Sequence, residues 1–245
     1  KVAHDEFENF KDFYTKDWQK FIDYNIVDVE LVSRLEEKMK LIELAVALAY
    51  DAKVNMQDVY YQVRMWDTLI YNFLNKKGIV VPPGKRSDKD EKYAGAYVKE
   101  PIAGRYNWVV SFDLNSLYPH LIMQYNISPE TLVEKRHPSA TVNGLLSQSV
   151  DVPKEFCLCA NGAMYRKDIH GFLPEMMKKI YDERVQSKKL MILAKQEYEK
   201  TPTKELEKSI SKYNNIQMAR KIQLNSAYGA IGNQYFRYYN IINAE

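Results

Sequence analysis

The sequence predicts an α+β chain: helices at the start, a strand-rich middle, and a long antiparallel two-helix hairpin near the end. Three patterns carry this. From about Asp17 to Ala52 apolar residues such as Trp18, Phe21, Leu31, Leu35 and Met39 recur at three- and four-residue steps. Between Tyr93 and Arg166 short apolar runs alternate with turn formers. After Gly171 and Pro174 the helical pattern returns and is broken only at Thr201-Pro202-Thr203.

Each element follows from local chemistry. One helix over residues 17–52 would be unusually long, so a break is expected near Asn25 to Asp28 or at Lys40. A further helix is expected from about Met56 to Lys76, with Gly78 as its stop. The run from Val80 to Lys92, dense in charge, Pro and Gly, reads as a linker. Trp108-Val-Val-Ser-Phe112 reads as a buried strand. Asn161-Gly162, between alternating residues of 156–165, reads as a two-residue hairpin turn. Helices to about Lys200 and then to about Tyr228, joined by so short a turn, must lie antiparallel.

Composition narrows the function classes. The 245 residues are 46% hydrophobic and 27% charged, with nine Gly and nine Pro, which excludes fibrous and low-complexity chains. The longest apolar run, Leu44 to Tyr50, is too short to span a bilayer. Cys157 and Cys159 sit two apart on one strand face, badly placed for a disulfide, which suits a reducing compartment. The chain begins at Lys1 without Met and is read as a piece of a longer protein. Net charge is +3, but residues 161–245 carry 15 basic against 9 acidic side chains, as expected where a chain meets a polyanion.

Asp113 closes the Trp108 to Phe112 run. A turn and the helix-starting Leu117-Tyr118-Pro119 follow it. A carboxylate beside a helix N-terminus can share a hard cation with phosphate oxygens. Alone, Asp113 would read as a helix cap. The whole string Asp113-Leu-Asn-Ser-Leu-Tyr-Pro119 resembles motif A of the family B DNA polymerases, D-x-x-S-L-Y-P. Lys221-Ile-Gln-Leu-Asn225-Ser226-Ala-Tyr228-Gly229 resembles their motif B, K-x-x-x-N-S-x-Y-G. Tyr24-Asn-Ile-Val-Asp28 resembles the third exonuclease motif, and Tyr93-Ala-Gly95-Ala96-Tyr97 the element between nuclease and polymerase modules. Tyr125-Asn-Ile-Ser-Pro-Glu-Thr131 is similar to the T-even-like tailed-phage branch.

The resemblance implies a layout and a set of roles. Residues 1–40 would end a 3′-5′ exonuclease domain, 41–83 return through an N-terminal domain, and 84–173 begin a palm. Residues 174–232 would form fingers, and 233–245 would re-enter the palm. Asp113 and the carbonyl of Leu114 would bind Mg²⁺ in a two-metal site. Backbone amides near Ser116 and Leu117, with Arg184, Lys188, Lys221 and Asn225, would hold a dNTP. Tyr118 would exclude a 2′-hydroxyl. Tyr93, Gly95, Tyr228 and Gly229 would contact primer-template DNA. Tyr24 and Asp28 would serve the exonuclease, with Asp28 on its metal.

The motif C string D-T-D and the first exonuclease motif do not occur in these residues, so each metal site is half present and the isolated chain is expected to be inactive. The resemblance also implies a sliding clamp and other replisome partners, no membrane, and the cytoplasm of a phage host. On spacing alone, Arg184 and Lys188 read as a solvated face beside Glu183, and Tyr235, Phe236, Tyr238 and Tyr239 read as core before base-stacking surface. The rival reading is a nucleic-acid-binding module without catalysis, which would have no use for Asp113 or Tyr118.

Overall fold

The computed structural model describes residues 7, 9–84 and 98–245. Tyr93, Gly95, Ala96 and Tyr97 lie outside the described residues. The chain divides into two compact units, residues 1–46 and 47–245.

In the first unit α1 (Phe10–Lys16) meets α2 (Trp18–Met39) at one residue. Asp17 ends α1 by donating its N–H to the Phe13 carbonyl, and it caps α2 by accepting from the Lys20 N–H at 3.1 Å. Phe13, 1% exposed, makes edge contacts with Phe21 and Tyr24 at 5.4 and 5.6 Å between ring centroids. The helical run breaks at Lys40, which takes a left-handed φ of 54°. The Glu36 carboxylate reaches over this break to accept the N–H groups of Leu41 and Ile42 at 3.1 Å, so α3 (Leu41–Ala52), whose residues 47–52 belong to the second unit, starts with two of its free donors satisfied.

In the second unit the expected helix over 56–76 divides. A 3-10 turn (Met56–Tyr60) leads into α4 (Gln62–Lys76), which buries Met65, Trp66, Ile70 and Leu74 at helical spacing. Gly78 stops it with φ +71°.

The middle of the chain departs from expectation. Trp108 to Phe112 is neither strand nor buried: Trp108 is 98% and Phe112 is 92% exposed, and Trp108 has a left-handed φ of 61°. A strand is made by its neighbours, and among the described residues none lies beside this run to complete a ladder. The only sheet among the described residues is the ribbon β1 (Phe156–Leu158) and β2 (Met164–Arg166), antiparallel with Cys157 opposite Tyr165.

The hairpin turn is one residue longer than expected. Cys159 N–H bonds to the Ala163 carbonyl, Gly162 N–H closes a turn on the Cys159 carbonyl, and only Gly162 takes positive φ, +85°. A Cβ on Gly162 would sit 2.9 Å from the His137 carbonyl. Both cysteines are free thiols, and burial, followed by the neighbouring Cys157, pushes the Cys159 thiol up to about 11.

The longest elements are α7 (Phe172–Lys200) and α8 (Lys204–Ile231), joined by Thr201 to Thr203 and packed along each other. Thr203 caps α8 by accepting the Leu206 N–H at 3.2 Å. Two shorter helices, α5 (Leu117–Tyr125) and α9 (Ile241–Ala244), pack against this pair, and α6 (Val142–Leu146) precedes the ribbon. In the closing segment Phe236 and Tyr238 are buried while Tyr235 is 67% exposed, so the aromatic cluster divides between core and surface. Burial, then the charge of Asp67, pushes the Tyr238 phenol up to about 12.

One side chain joins α5, the ribbon and α7. Asn126, the left-handed residue that ends α5, donates its amide to the carbonyls of Arg166 (2.7 Å) and Ile169 (2.8 Å) and accepts the Gly171 N–H (2.9 Å). Its backbone carbonyl accepts the hydroxyl of fully buried Thr131 at 2.6 Å. Glu130 then accepts the N–H of Phe172, the first residue of α7, at 2.6 Å. Gly171 packs so closely that a Cβ would fall 2.6 Å from the Cβ of Ser128.

Asn126→Ala strips three backbone polar groups of their side-chain partner, one of them buried and two part-buried, and leaves a non-glycine residue in left-handed geometry. Urea denaturation is expected to show a loss of about 3 kcal/mol, whereas a loss under about 1 kcal/mol would show that the joint is held by packing instead.

Candidate functional site

The site grows from the start of α5. Ser116 occupies the cap position in a left-handed conformation, φ 54°, and its carbonyl accepts the His120 N–H at 3.1 Å. The His120 Nδ1 lies 2.9 Å from the same carbonyl, and its ring meets Tyr181 of α7 edge-on at 4.8 Å. The amides of Leu117 and Tyr118 belong to the first turn, where a helix leaves its N–H groups without internal acceptors. Pro119, buried beneath them, has no N–H to offer.

Two contacts tie this turn to the long helices. Arg184 of α7 donates from Nη1 to the Ser116 hydroxyl at 3.2 Å. The Tyr118 ring stacks on Tyr228 of α8, with centroids 4.5 Å apart and planes 1° from parallel. The Tyr228 hydroxyl is anchored on the Ala244 carbonyl at 3.0 Å. Arg184 Nε is buried without a hydrogen-bond partner. Beside it lies an open cavity of about 460 Å³ whose walls include Asn115, Tyr181, Arg184, Lys188 and Lys189.

The motif B residues divide by face. Gln223, Leu224, Ser226 and Ala227 are buried, while Lys221, Asn225 and Gly229 are exposed and Tyr228 is half-buried. Ser226 faces inward for a structural reason: its hydroxyl accepts the indole N–H of Trp66, itself 1% exposed, at 3.0 Å. Lys221 stands seven residues from Tyr228, about 10 Å along the helix. Gly229 is not demanded by the fold, since a Cβ there would meet only the movable end of the Gln62 side chain, at 2.8 Å.

Asp113 and Leu114 lie in exposed coil just before this turn. Three residues separate Asp113 from Ser116, so their Cα atoms stand within about 11 Å of each other. Among the described residues no three His, Cys, Asp or Glu side chains gather where they could hold a metal ion. In the first unit Tyr24 is buried against Phe10 and Phe13, and Asp28 is half-buried one turn further on.

Sequence reasoning missed one feature. Glu183 pairs with Arg220 of α8 at 2.7 Å, and Arg220 also pairs with Asp51, 169 positions earlier. Arg220 stands immediately before Lys221 and its residue type was readable, but its partners were not.

A family model described as DNA polymerase family B matches residues 55–245. The chain is 33% identical to the DNA-directed DNA polymerase of Escherichia phage RB69 over 268 residues, which is 92% of this chain and 30% of that protein. It is likewise 33% identical to the DNA-directed DNA polymerase of Enterobacteria phage T4, over 92% of this chain and 30% of that protein. The solved family B DNA polymerase of the archaeon Pyrobaculum calidifontis superposes with a TM-score of 0.63 at 25% identity, covering 92% of this chain and 27% of that one. The chain thus spans about 30% of the length of the phage relatives.

Replacing Ser226 and Gly229 separates fold from site. Ser226→Ala leaves the Trp66 indole buried without an acceptor and is expected to cost about 1–2 kcal/mol in thermal denaturation. Gly229→Ala is expected to be neutral or stabilising by up to about 1 kcal/mol, because Ala favours a helix interior. Strong destabilisation by Gly229→Ala would assign that glycine to packing.

Proposed function

The chain belongs to DNA polymerase family B, and on that premise we propose that it carries the nucleotide-binding half of a template-directed nucleotidyl-transfer centre. Its substrates would be a dNTP and primer-template DNA. The observation that carries this reading is the Arg184 contact with Ser116, which sets a cationic donor beside the amides that open α5.

The triphosphate would lie between that turn and the long helices. Arg184 and Lys188, one helical turn apart, would grip it from α7. Lys221 and Asn225 would reach it from α8, and the amides near Ser116 and Leu117 would bond its oxygens. Tyr118, held flat by Tyr228, would press on the sugar face where a 2′-hydroxyl would project. Tyr228 and Gly229 would border the nascent base pair, with Tyr93 and Gly95 along the DNA. Tyr24 and Asp28 would belong to a 3′-5′ exonuclease centre.

Domain roles follow the same reading. Residues 1–40 would close the exonuclease domain, 41–83 return through the N-terminal domain, 84–173 and 233–245 contribute palm, and 174–232 form fingers.

The residues present fit Mg²⁺ in a limited way. One exposed carboxylate, Asp113, with the carbonyl of Leu114, suits a hydrated ion shared with substrate phosphates and not a closed protein cage. When bound, Mg²⁺ would neutralise charge on the triphosphate oxygens. What the chain itself does is grip, align and exclude: cations hold the phosphates, a ring limits the sugar, and the exposed face of α8 meets the base pair.

On this reading the working protein would act in the cytoplasm of a phage host, with a sliding clamp and other replisome proteins as partners. Among the described residues no helix is long and apolar enough to cross a membrane. The competing reading, a binding module without catalysis, gains from the basic last third but leaves the Tyr118–Tyr228 stack beside Arg184 without a purpose.

Titration calorimetry with dTTP and Mg²⁺ tests the proposal. Arg184→Ala and Lys221→Ala are each expected to weaken binding about tenfold to a hundredfold, as for loss of a charge-assisted bond. DNA binding that never responds to nucleotide, with both variants matching wild type, would favour the binding module. The isolated chain is expected to show no primer extension.

A further inference from the structure

Arg220 is one position from Lys221, and Glu183 is one position from Arg184. These four residues form two adjacent pairs, and the inner member of each pair is bonded to the other. Arg220 Nη2 lies 2.7 Å from the Glu183 carboxylate, joining α8 to α7. Its Nη1 pairs with Asp51 in the last turn of α3 and donates to Gln223 Oε1 at 3.0 Å. Gln223, fully buried, donates to the same Asp51 carboxylate at 2.7 Å. The Arg220 side chain is 16% exposed, and those of Asp51 and Glu183 are 27% and 34% exposed.

We infer that Arg220 is a positioning residue whose bridge from Glu183 to Asp51 fixes the register of α7 against α8, so that Arg184 and Lys221 present their charges to one triphosphate.

The geometry of the guanidinium supports this. It is planar and forked, so two carboxylates on different helices are held at a set angle rather than by loose attraction. A slip of α7 by one residue along α8 would move a side chain about 1.5 Å and turn it about 100° around the axis. The buried residues of α8 include small ones such as Ala219 and Ala227, whose packing sets no angle as a forked ion pair does. Asp51 supplies a reference outside the pair, since α3 is not part of the two-helix hairpin. Neither carboxylate touches the proposed triphosphate path, so the effect of Arg220 passes through its neighbours. The inference rests on the nucleotide reading of Arg184 and Lys221, and its test separates the two.

Spin labels on cysteines introduced at exposed Lys189 and Lys212, with Cys157 and Cys159 replaced by Ser, report the α7–α8 distance by pulsed electron resonance. Calorimetry with dTTP and Mg²⁺ reports binding by the same proteins without labels. Arg220→Met is expected to shift or broaden the distance distribution and to weaken dTTP binding about tenfold, with helical circular dichroism retained. Arg220→Lys, which keeps the charge but loses the fork, is expected to recover part of the affinity and little of the distance. Should Arg220→Met fail to fold, Asp51→Asn leaves Arg220 and Glu183 in place and is expected to change both readouts in the same direction by less.

A distance distribution unchanged in Arg220→Met and Asp51→Asn would overturn the clamp. A shifted distance with unchanged dTTP affinity would overturn its role in nucleotide binding. A wild-type chain that binds no dTTP, while its distance still shifts on mutation, would support the clamp and sink the nucleotide reading instead.

Discussion

The side-chain amide of Asn126 is the constraint from which the site's geometry descends. An amide has two donors and an acceptor, and here all three go to backbone groups: the last residue of β2 and the short stretch between β2 and α7. Its bonds to Arg166, Ile169 and Gly171 place the end of α5 against the start of α7. Since α5 and α7 are stiff, fixing that corner also fixes the other end of α5 relative to Arg184, about three turns along α7. The Ser116 contact is therefore a consequence of a joint on the opposite end of a nine-residue helix. Glu130 strengthens the same corner by meeting the positive end of α7.

The parts of this arrangement that were legible in the sequence are those decided by local forces. Helical spacing located α4, α7 and α8. A Gly after the last turn marked the end of α4, and Thr-Pro-Thr marked the reversal between the long helices. Of the two positions expected for a break, only Lys40 is one, since α2 runs unbroken through Asn25 to Asp28, and the 156–165 hairpin was legible although Gly162 alone adopts positive φ and the loop is longer than the Asn-Gly pair suggested. Trp108 to Phe112 was misread because β-branched and aromatic residues describe a surface that fits a sheet, not a sheet itself. The ladder that would bury them depends on residues far away in sequence.

The candidate site shows the same division. Motif strings singled out Asp113, Tyr118 and Lys221, four-residue spacing singled out Arg184 and Lys188, and the alternation of buried and exposed positions along α8 follows from helix geometry. What spacing could not reveal was which inward residues bond across elements. Asp51 and Arg220 are 169 positions apart, and Trp66 and Ser226 are 160 apart. Each looked like an ordinary polar or core residue until the chain closed. The partner of Glu183 lies on another helix, which no periodicity in α7 can announce.

This separation has a physical logic along α8. The residues that bond to protein, Arg220, Gln223 and Ser226, occupy one side of the helix. The exposed residues proposed to meet a ligand, Lys221, Asn225 and Gly229, occupy the other. A side chain held by its own fold pays less entropy on binding a ligand only if its helix cannot rotate, so the inward bonds are the means by which the outward ones become selective. Lys221 has a long flexible stem, and its charge is directed chiefly by where its Cα is held. Rotational control at Arg220, one residue away, acts at the position where that direction is set. On the proposed reading, the buried side of α8 would thus serve the exposed side without touching substrate itself.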